Sequence, residues 1–217
     1  MDRRGLLAAL AASGGAAVAG CAGADGSYEF DATPARVPER AYADTGYVGA
    51  APEPFTAERE FDIAGVNARV SATTWTARYA NEAVGSVLFV ASTPDASVGG
   101  QSVNPLARAD DDELLRRLLE RVDRGGGADV QTDDIEVRGE ETLTVLDEAV
   151  SVSVFETTVS AAAETGGARA ADPEAVPVFV YVGTVSHDED VIALVGVHPT
   201  ESDESGALFS MMERTEH

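Results

Sequence analysis

Apolar and polar positions alternate through most of the chain beyond residue 60. Phe61-Asp62-Ile63 alternates, and the stretch from Ala68 to Thr76 does so again in β-forming residues. A period of two places every second side chain on the same face of a strand. Val84 to Ala91 is an apolar run closed by Thr93-Pro94 and then Gly99-Gly100, the pattern of a buried strand. Further strands are predicted over 134–137, 142–146, 150–159, 176–186 and 191–197, with a loop from Glu164 to Asp172. His187-Asp188-Glu189-Asp190 separates the last two strands and has the make-up of a hairpin turn.

Two segments switch to the helical period. Leu114, Leu115, Leu118, Leu119 and Val122 form one stripe, capped by Asp110 or Asp111 and ended by Gly125-Gly126-Gly127. Glu113–Arg117 and Glu120–Arg124 add pairs four residues apart with the favourable polarity. A shorter helix is expected at the end of the chain, with Ser202 as cap and Ala207, Leu208, Met211 and Met212 as its buried side. Strands in hairpin sequence with helices far apart predict an α+β fold: an antiparallel β-sheet with two main helices packed on it.

The region ahead of Glu60 differs in composition. Pro34, Pro38, Pro52 and Pro54, set among Ala and Gly, suggest a tether that would span about 35 Å as a random coil. Tyr28, Phe30, Tyr42, Tyr47 and Phe55 are more aromatic residues than a disordered segment usually holds, so Tyr42 to Phe55 is expected to pack on the domain. The expected organisation is residues 1–20 as an export signal, 21–59 as a lipidated cysteine and tether, and 60–217 as a single domain.

The export signal rests on Arg3-Arg4, followed by a short Ala- and Gly-rich apolar region from Leu6 to Ala19. That region is below the roughly 20 apolar residues a membrane-spanning helix needs. Paired arginines ahead of it suggest twin-arginine export. Val18-Ala19-Gly20-Cys21 then ends it as a lipobox would, and Cys21 is the only cysteine. An internal disulfide is therefore impossible. Two acyl chains on Cys21 would suffice for stable anchoring to the outer face of the cell membrane.

Charge narrows the setting further. The chain has 38 acidic residues against 15 basic ones, and all the basic ones are arginine. Removing residues 1–20, with Arg3, Arg4 and Asp2, takes the net charge from −23 to −24. Such self-repulsion weakens a compact state in dilute buffer. In molar salt the Debye length falls to about 3 Å and the repulsion fades. Acid excess without lysine suggests a halophile. It also argues against nucleic acid as a partner, since phosphate binding needs clustered basic residues.

Candidate chemistry is sparse. Ser186-His187-Asp188 is not a triad, because neighbours on a strand point to opposite faces. No Gly-x-Ser-x-Gly turn raises a serine nucleophile. The three histidines, His187, His198 and His217, lie in the last quarter of the chain. His187 and His198 sit at opposite ends of one strand, about 20 Å apart, so they cannot share a metal. The final helix runs back over a similar length. It can return His217 to His187, Asp188 and Asp190, which makes these four the candidate metal ligands. The acidic clusters at 110–113 and 201–204 complement helix dipoles. No motif calls for a cofactor.

Several segments resemble a family of haloarchaeal secreted lipoproteins of unknown function. The resemblance is carried by Thr45-Gly46-Tyr47, Ser92-Thr93-Pro94, Asn104-Pro105-Leu106, Val185-Ser186-His187 with Asp190, Gly196 with His198-Pro199, and Glu216-His217. It implies a secreted, halophilic setting and no assigned activity. At the level of fold the expected arrangement is similar to the PsbP and Mog1 sandwich, whose members are accessory or binding proteins.

The leading expectation is a non-enzymatic, membrane-anchored binding or accessory domain of the cell envelope, with another exported protein as partner. The alternatives are a metal- or solute-binding lipoprotein using His187, Asp188, Asp190 and His217, and a hydrolase. Charge yields the first prediction: dialysis of the purified protein from molar salt into dilute buffer abolishes its native circular dichroism. Retention of that signal would refute the halophilic reading.

Overall fold

In a computed structural model of the chain, residues 21–22, 27–63, 66–98, 101–102, 128–130, 135–161 and 174–217 are described. Eleven strands form one sheet. In chain order these are β1 (Cys21–Ala22), β2 (Ser27–Asp31), β3 (Val48–Gly49), β4 (Glu53–Ile63), β5 (Val66–Asn81) and β6 (Ser86–Pro94), followed by β9 (Ala128–Val130), β10 (Glu136–Val145), β11 (Glu148–Ala161), β12 (Glu174–His187) and β13 (Asp190–Pro199). The short strands β7 (Ser97–Val98) and β8 (Gln101–Ser102) form a separate ribbon. The sheet order is β1-β2-β5-β6-β13-β12-β11-β10, with β3 and β4 also on β5 and β9 on β11.

This corrects the α+β expectation. The protein is mostly a mixed β-sheet, with one short α-helix, Ser205–Glu213, among the described residues. Among the described residues a mixed sheet with one short helix stands in place of the expected antiparallel sheet with two main helices, and the sandwich analogy loses its basis. Strand β2 runs parallel to β5, which makes the sheet mixed. The helix expected over 110–124 lies outside the described residues.

Much of the difference comes from residues 27–63. Beyond Ser27 the expected tether supplies β2, β3 and β4, and β4 pairs with β5 along its length, from Glu53↔Thr76 to Ile63↔Val66. The prolines had suggested a linker because proline cannot donate to a ladder. Pro54 is nonetheless accommodated in β4, which pairs on one side only, where a missing donor is tolerated. The strands predicted over 134–137 and 142–146 merge into β10, with a bulge between Val137 and Gly139. Ser92-Thr93-Pro94 completes β6 and does not begin a loop.

Strand alternation divides the apolar residues between two faces. On one face lie Tyr79 and Ala77 of β5, Leu88 and Val90 of β6, Ile192 and Leu194 of β13, Tyr181 and Val185 of β12, and Val150 and Val152 of β11. Leu208, Met211 and Met212 of the helix pack in this cluster, as do Ala35, Val37, Ala41 and Tyr47 of the segment after β2. The opposite face holds a second cluster of Phe155, Val178, Val180, Val182, Ala193 and Val195. Among the described residues no helix is long and apolar enough to cross a membrane.

The helix begins later than predicted. Ser202 is not its cap; its hydroxyl donates to the Pro199 carbonyl. Asp203 accepts from the Ser205 backbone N–H at 3.2 Å and from its hydroxyl at 2.7 Å, which holds the entry turn. These two bonds hold the Asp203 carboxyl below its usual range. Gly196 lets the helix sit close to β13: a Cβ there would lie 3.0 Å from Met212 Cε and 3.2 Å from a Leu208 methyl.

The first cluster carries a direct test. Leu194 is fully buried. Leu194→Ala is expected to lower unfolding free energy by about 2–5 kcal/mol, since the cavity adds to the lost transfer term. Denaturant unfolding in molar salt measures it, and a loss below about 1 kcal/mol would contradict the packing described.

Candidate functional site

The apolar face changes character at one end of the sheet. The row on β12 runs Tyr181, Gly183, Val185 and then His187; that on β13 runs Leu194, Ile192 and then Asp190. The ladder pairs His187 with Asp190, Val90 with Leu194, and Ser92 with both Ile192 and Trp75. His187, Asp190, Ser92 and Trp75 are thus the polar and aromatic continuation of the face that buries the helix. A two-residue turn, Asp188-Glu189, joins β12 to β13, with Asp188 in the left-handed region at φ +52°. Asp tolerates that conformation better than most side chains.

Two remote segments close over this end. The helix terminates at Glu213, and the chain continues to pair with the segment that follows β2. Arg36 N–H donates to the Glu216 carbonyl at 2.8 Å, and Glu216 N–H donates back at 2.7 Å. Arg40 adds an ion pair to the Glu216 carboxylate. This clasp delivers His217 to the sheet, where its side chain is only 2 % exposed. Pro34, Arg36, Pro52, Trp75, Glu216 and His217 line an adjoining groove of about 410 Å³.

His217 is held from both ring nitrogens. Its Nδ1 lies 2.9 Å from Nδ1 of His187, and its Nε2 lies 3.0 Å from Oδ2 of Asp190. Asp190 is 5 % exposed and also accepts the Thr33 backbone N–H at 2.7 Å. Oδ2 of Asp190 can only accept when ionised, so Nε2 of His217 carries the proton and Nδ1 presents its lone pair towards His187. Asp188 stands beside this pair, with Oδ2 3.7 Å from His187 Nδ1 and a side chain 81 % exposed. One donor atom each from His187, Asp188 and His217 fall within 4.8 Å of one another.

The structure therefore brings together all four candidate ligands, His187, Asp188, Asp190 and His217, and separates His198 from them. His198 is at the far end of β13 and 2 % exposed. Its Nδ1 lies 2.8 Å from the Pro199 carbonyl, which can only accept, so Nδ1 is the donor there. Nε2 then accepts from the Tyr181 hydroxyl at 2.9 Å. Both nitrogens are engaged in holding the core.

Ser92 Oγ, 3.4 Å from His217 Nε2, makes the cluster look like a Ser-His-Asp relay. The connectivity is wrong for one. A relay needs the serine and the carboxylate on different ring nitrogens. Here both face Nε2, whose single proton is held by Asp190. Ser92 is also fully buried.

Ser92, Thr33 and Arg36 are not legible as site residues. The one signal in the sequence is a break in apolar alternation at Ser92, and the other two are identified only by the closing segments; Trp75, near a strand end, is a contact-surface candidate by sequence and lines the groove. Cys21 pairs with Glu29 in β1–β2, while Arg3 and Arg4 lie outside the described residues.

The class of protein defined here is a mixed β-sheet domain whose one end carries a His-Asp cluster beside a groove. The chain belongs to the family described as Domain of unknown function (DUF6517), which matches residues 34–216. That match takes in most of both closing segments and ends one residue before His217. No curated protein matches the chain.

Three buried tyrosines set the pH limits of this architecture. Tyr47 donates to Glu204 at 3.1 Å and shares a 2.5 Å hydrogen bond with Ser86. Tyr79 OH accepts the Val37 N–H at 2.7 Å. Burial pushes the Tyr47 and Tyr181 hydroxyls up to about 12, and raises Tyr79 as well. The folded state thus binds protons more tightly than the unfolded chain. Its stability from these groups is intact below pH 10 and is lost as pH rises from 10 to about 12. The two larger shifts contribute roughly 2–3 kcal/mol each. Denaturation midpoints in molar salt are expected to hold through pH 9 and fall steeply between pH 10 and 12, with a shallower fall in Tyr181→Phe. A flat profile over that interval would contradict the assignment.

Proposed function

We propose that this chain is a lipid-anchored protein on the outer face of a halophilic archaeon's membrane, and that its sheet domain is a non-enzymatic binding module of the cell envelope. The reading places the chain among haloarchaeal secreted lipoproteins. Support for the address comes from Arg3-Arg4, the short apolar stretch, Cys21 and the acidic, lysine-free composition. The observation that carries the binding role is the groove beside His217, where three segments distant in sequence meet over the polar end of the sheet. Its lining mixes proline, tryptophan, arginine and histidine, the combination of apolar wall and a few polar groups typical of ligand sites.

The anchor's distance from the domain is shorter than a free tether would give. Cys21 pairs with Glu29 and Ala22 with Tyr28, so lipid on Cys21 holds the β1–β2 edge near the membrane. A domain held that close serves a partner or ligand within the envelope layer.

The test uses the full chain expressed in a halophilic host. Wild type is expected in the membrane fraction, extractable only with detergent, and Cys21→Ala is expected in the medium or as unprocessed precursor. Trp75→Ala, which opens the groove wall, is expected to stay membrane-bound and to lose the envelope component recovered with wild type in molar salt. Membrane retention of Cys21→Ala would overturn the anchor, and unchanged recovery with Trp75→Ala would overturn the groove.

A further inference from the structure

We propose that His187, Asp188 and His217 form a binding site for a divalent late first-row transition metal of the zinc class, with Asp190 acting as the carboxylate that orients His217. This deepens the binding-module reading by naming a ligand class for the same end of the sheet, and it rests on that reading only for its biological setting.

The two imidazoles face each other through like atoms. Nδ1 of His187 and Nδ1 of His217 are 2.9 Å apart. Two lone pairs at that distance repel unless something positive lies between them, either one shared proton or a cation. Tetrahedral zinc with bonds of about 2.0–2.1 Å sets its donors roughly 3.3 Å apart. The observed nitrogen pair needs only a few tenths of an ångström of opening, and the 3.7 Å from His187 Nδ1 to Asp188 Oδ2 needs a similar closing. Asp188 can supply it, because it sits in a turn with its side chain in solvent.

The carboxylate behind His217 separates this cluster from a chance surface pair. Metal-bound histidines commonly donate their second N–H to a carboxylate, which fixes the tautomer and raises ligand basicity. Asp190 occupies that position at 3.0 Å from Nε2, and is itself fixed by the Thr33 N–H at 2.7 Å. His217 is thus oriented before any metal arrives, with Nδ1 as its available donor. The His187 side chain is 32 % exposed, which provides an entry path from solvent.

Ligand type selects the metal class. Two imidazoles and one carboxylate suit zinc, cobalt, nickel or copper, whereas calcium and magnesium require oxygen donors. Three protein ligands leave a fourth position for water or a solute. Selectivity for imidazole-seeking metals also matters in a chain with 38 acidic residues, whose net negative charge would attract any divalent cation weakly.

The test titrates Co²⁺ and then Zn²⁺ into the purified, chelator-treated full chain in molar salt. One equivalent of Co²⁺ is expected to produce the intense visible bands of a tetrahedral nitrogen–oxygen site, which Zn²⁺ then abolishes by displacement. Excess Mg²⁺ is expected to leave the bands unchanged. His187→Gln, at the exposed end of the hairpin, should fold normally and weaken binding by more than about a hundredfold. Asp190→Asn should weaken it by about 10–100-fold, the range for a carboxylate that accepts the second N–H of a metal-bound histidine. His198→Gln, at the far end of β13, should not change it. If His217→Gln fails to fold, His187→Gln and Asp188→Asn still decide the matter. Absence of a one-equivalent Co²⁺ spectrum, or an unchanged affinity in His187→Gln, overturns the site. A wild-type chain that binds no Co²⁺ but still recovers its partner refutes the metal site and leaves the groove reading standing; one that binds Co²⁺ while Trp75→Ala recovers the partner unchanged refutes the groove partner alone.

Discussion

The seating of Leu208, Met211 and Met212 against β13 at Gly196 determines where the chain goes after the helix. Without a Cβ at Gly196 the helix lies close to the strand, and its apolar side completes the cluster formed by Leu88, Val90, Ile192 and Leu194. Burial of each such side chain stabilises by about 1.5–3 kcal/mol, and the helix contributes three of them together. The helix therefore leads and the His-Asp cluster follows. His217 reaches Asp190 because hydrophobic packing aims the helix and the Arg36–Glu216 clasp restrains what is left of the chain.

The segment after β2 depends on the same face and supplies the polar balance. It inserts Ala35, Val37, Ala41 and Tyr47 into the cluster, and its buried polar atoms are met by side chains from the sheet. Tyr79 accepts from Val37, while Tyr47 reaches both Ser86 and Glu204. Unpaired groups in these positions would cost about 1–3 kcal/mol each. Gly49 lets this segment turn against the aromatic pair Tyr42 and Tyr79; a Cβ there would lie 2.5 Å from the Tyr79 ring. The helix and this segment together complete one lid on one face of the sheet, and the His-Asp cluster lies where both lid pieces meet.

Strand positions were largely readable because alternation depends only on nearest neighbours. Val150–Val159, Val176–Ser186 and Val191–Val197 fall within β11, β12 and β13, and the turn at Asp188-Glu189 lies where the four polar residues suggested. The difference lies in residues 27–59, which sequence alone makes a tether, although packing of Tyr42 to Phe55 is legible within it and strand character at Phe61–Ile63 just beyond it. Prolines and small residues resemble a linker in isolation, and only pairing with β5 makes β2 and β4 strands. The parallel β2–β5 contact is beyond local patterning, since hairpin logic yields only antiparallel neighbours.

By itself the sequence determined the strand alternation, the acidic composition, the single Cys21 and the four candidate residues His187, Asp188, Asp190 and His217, because each is a property of residue type or short-range spacing. Tertiary structure alone decided that the domain is a mixed sheet beginning near Cys21, that Asp190 orients His217 and lies behind the His187–Asp188–His217 donor set, and that Arg36 and Trp75 border the groove. Those outcomes depend on contacts beyond local range, from Asp190 to His217, 27 residues apart, up to Thr33 to Asp190, 157 apart. Such contacts follow from burying one apolar face under two lid segments at once, a constraint that no local stretch of the chain contains.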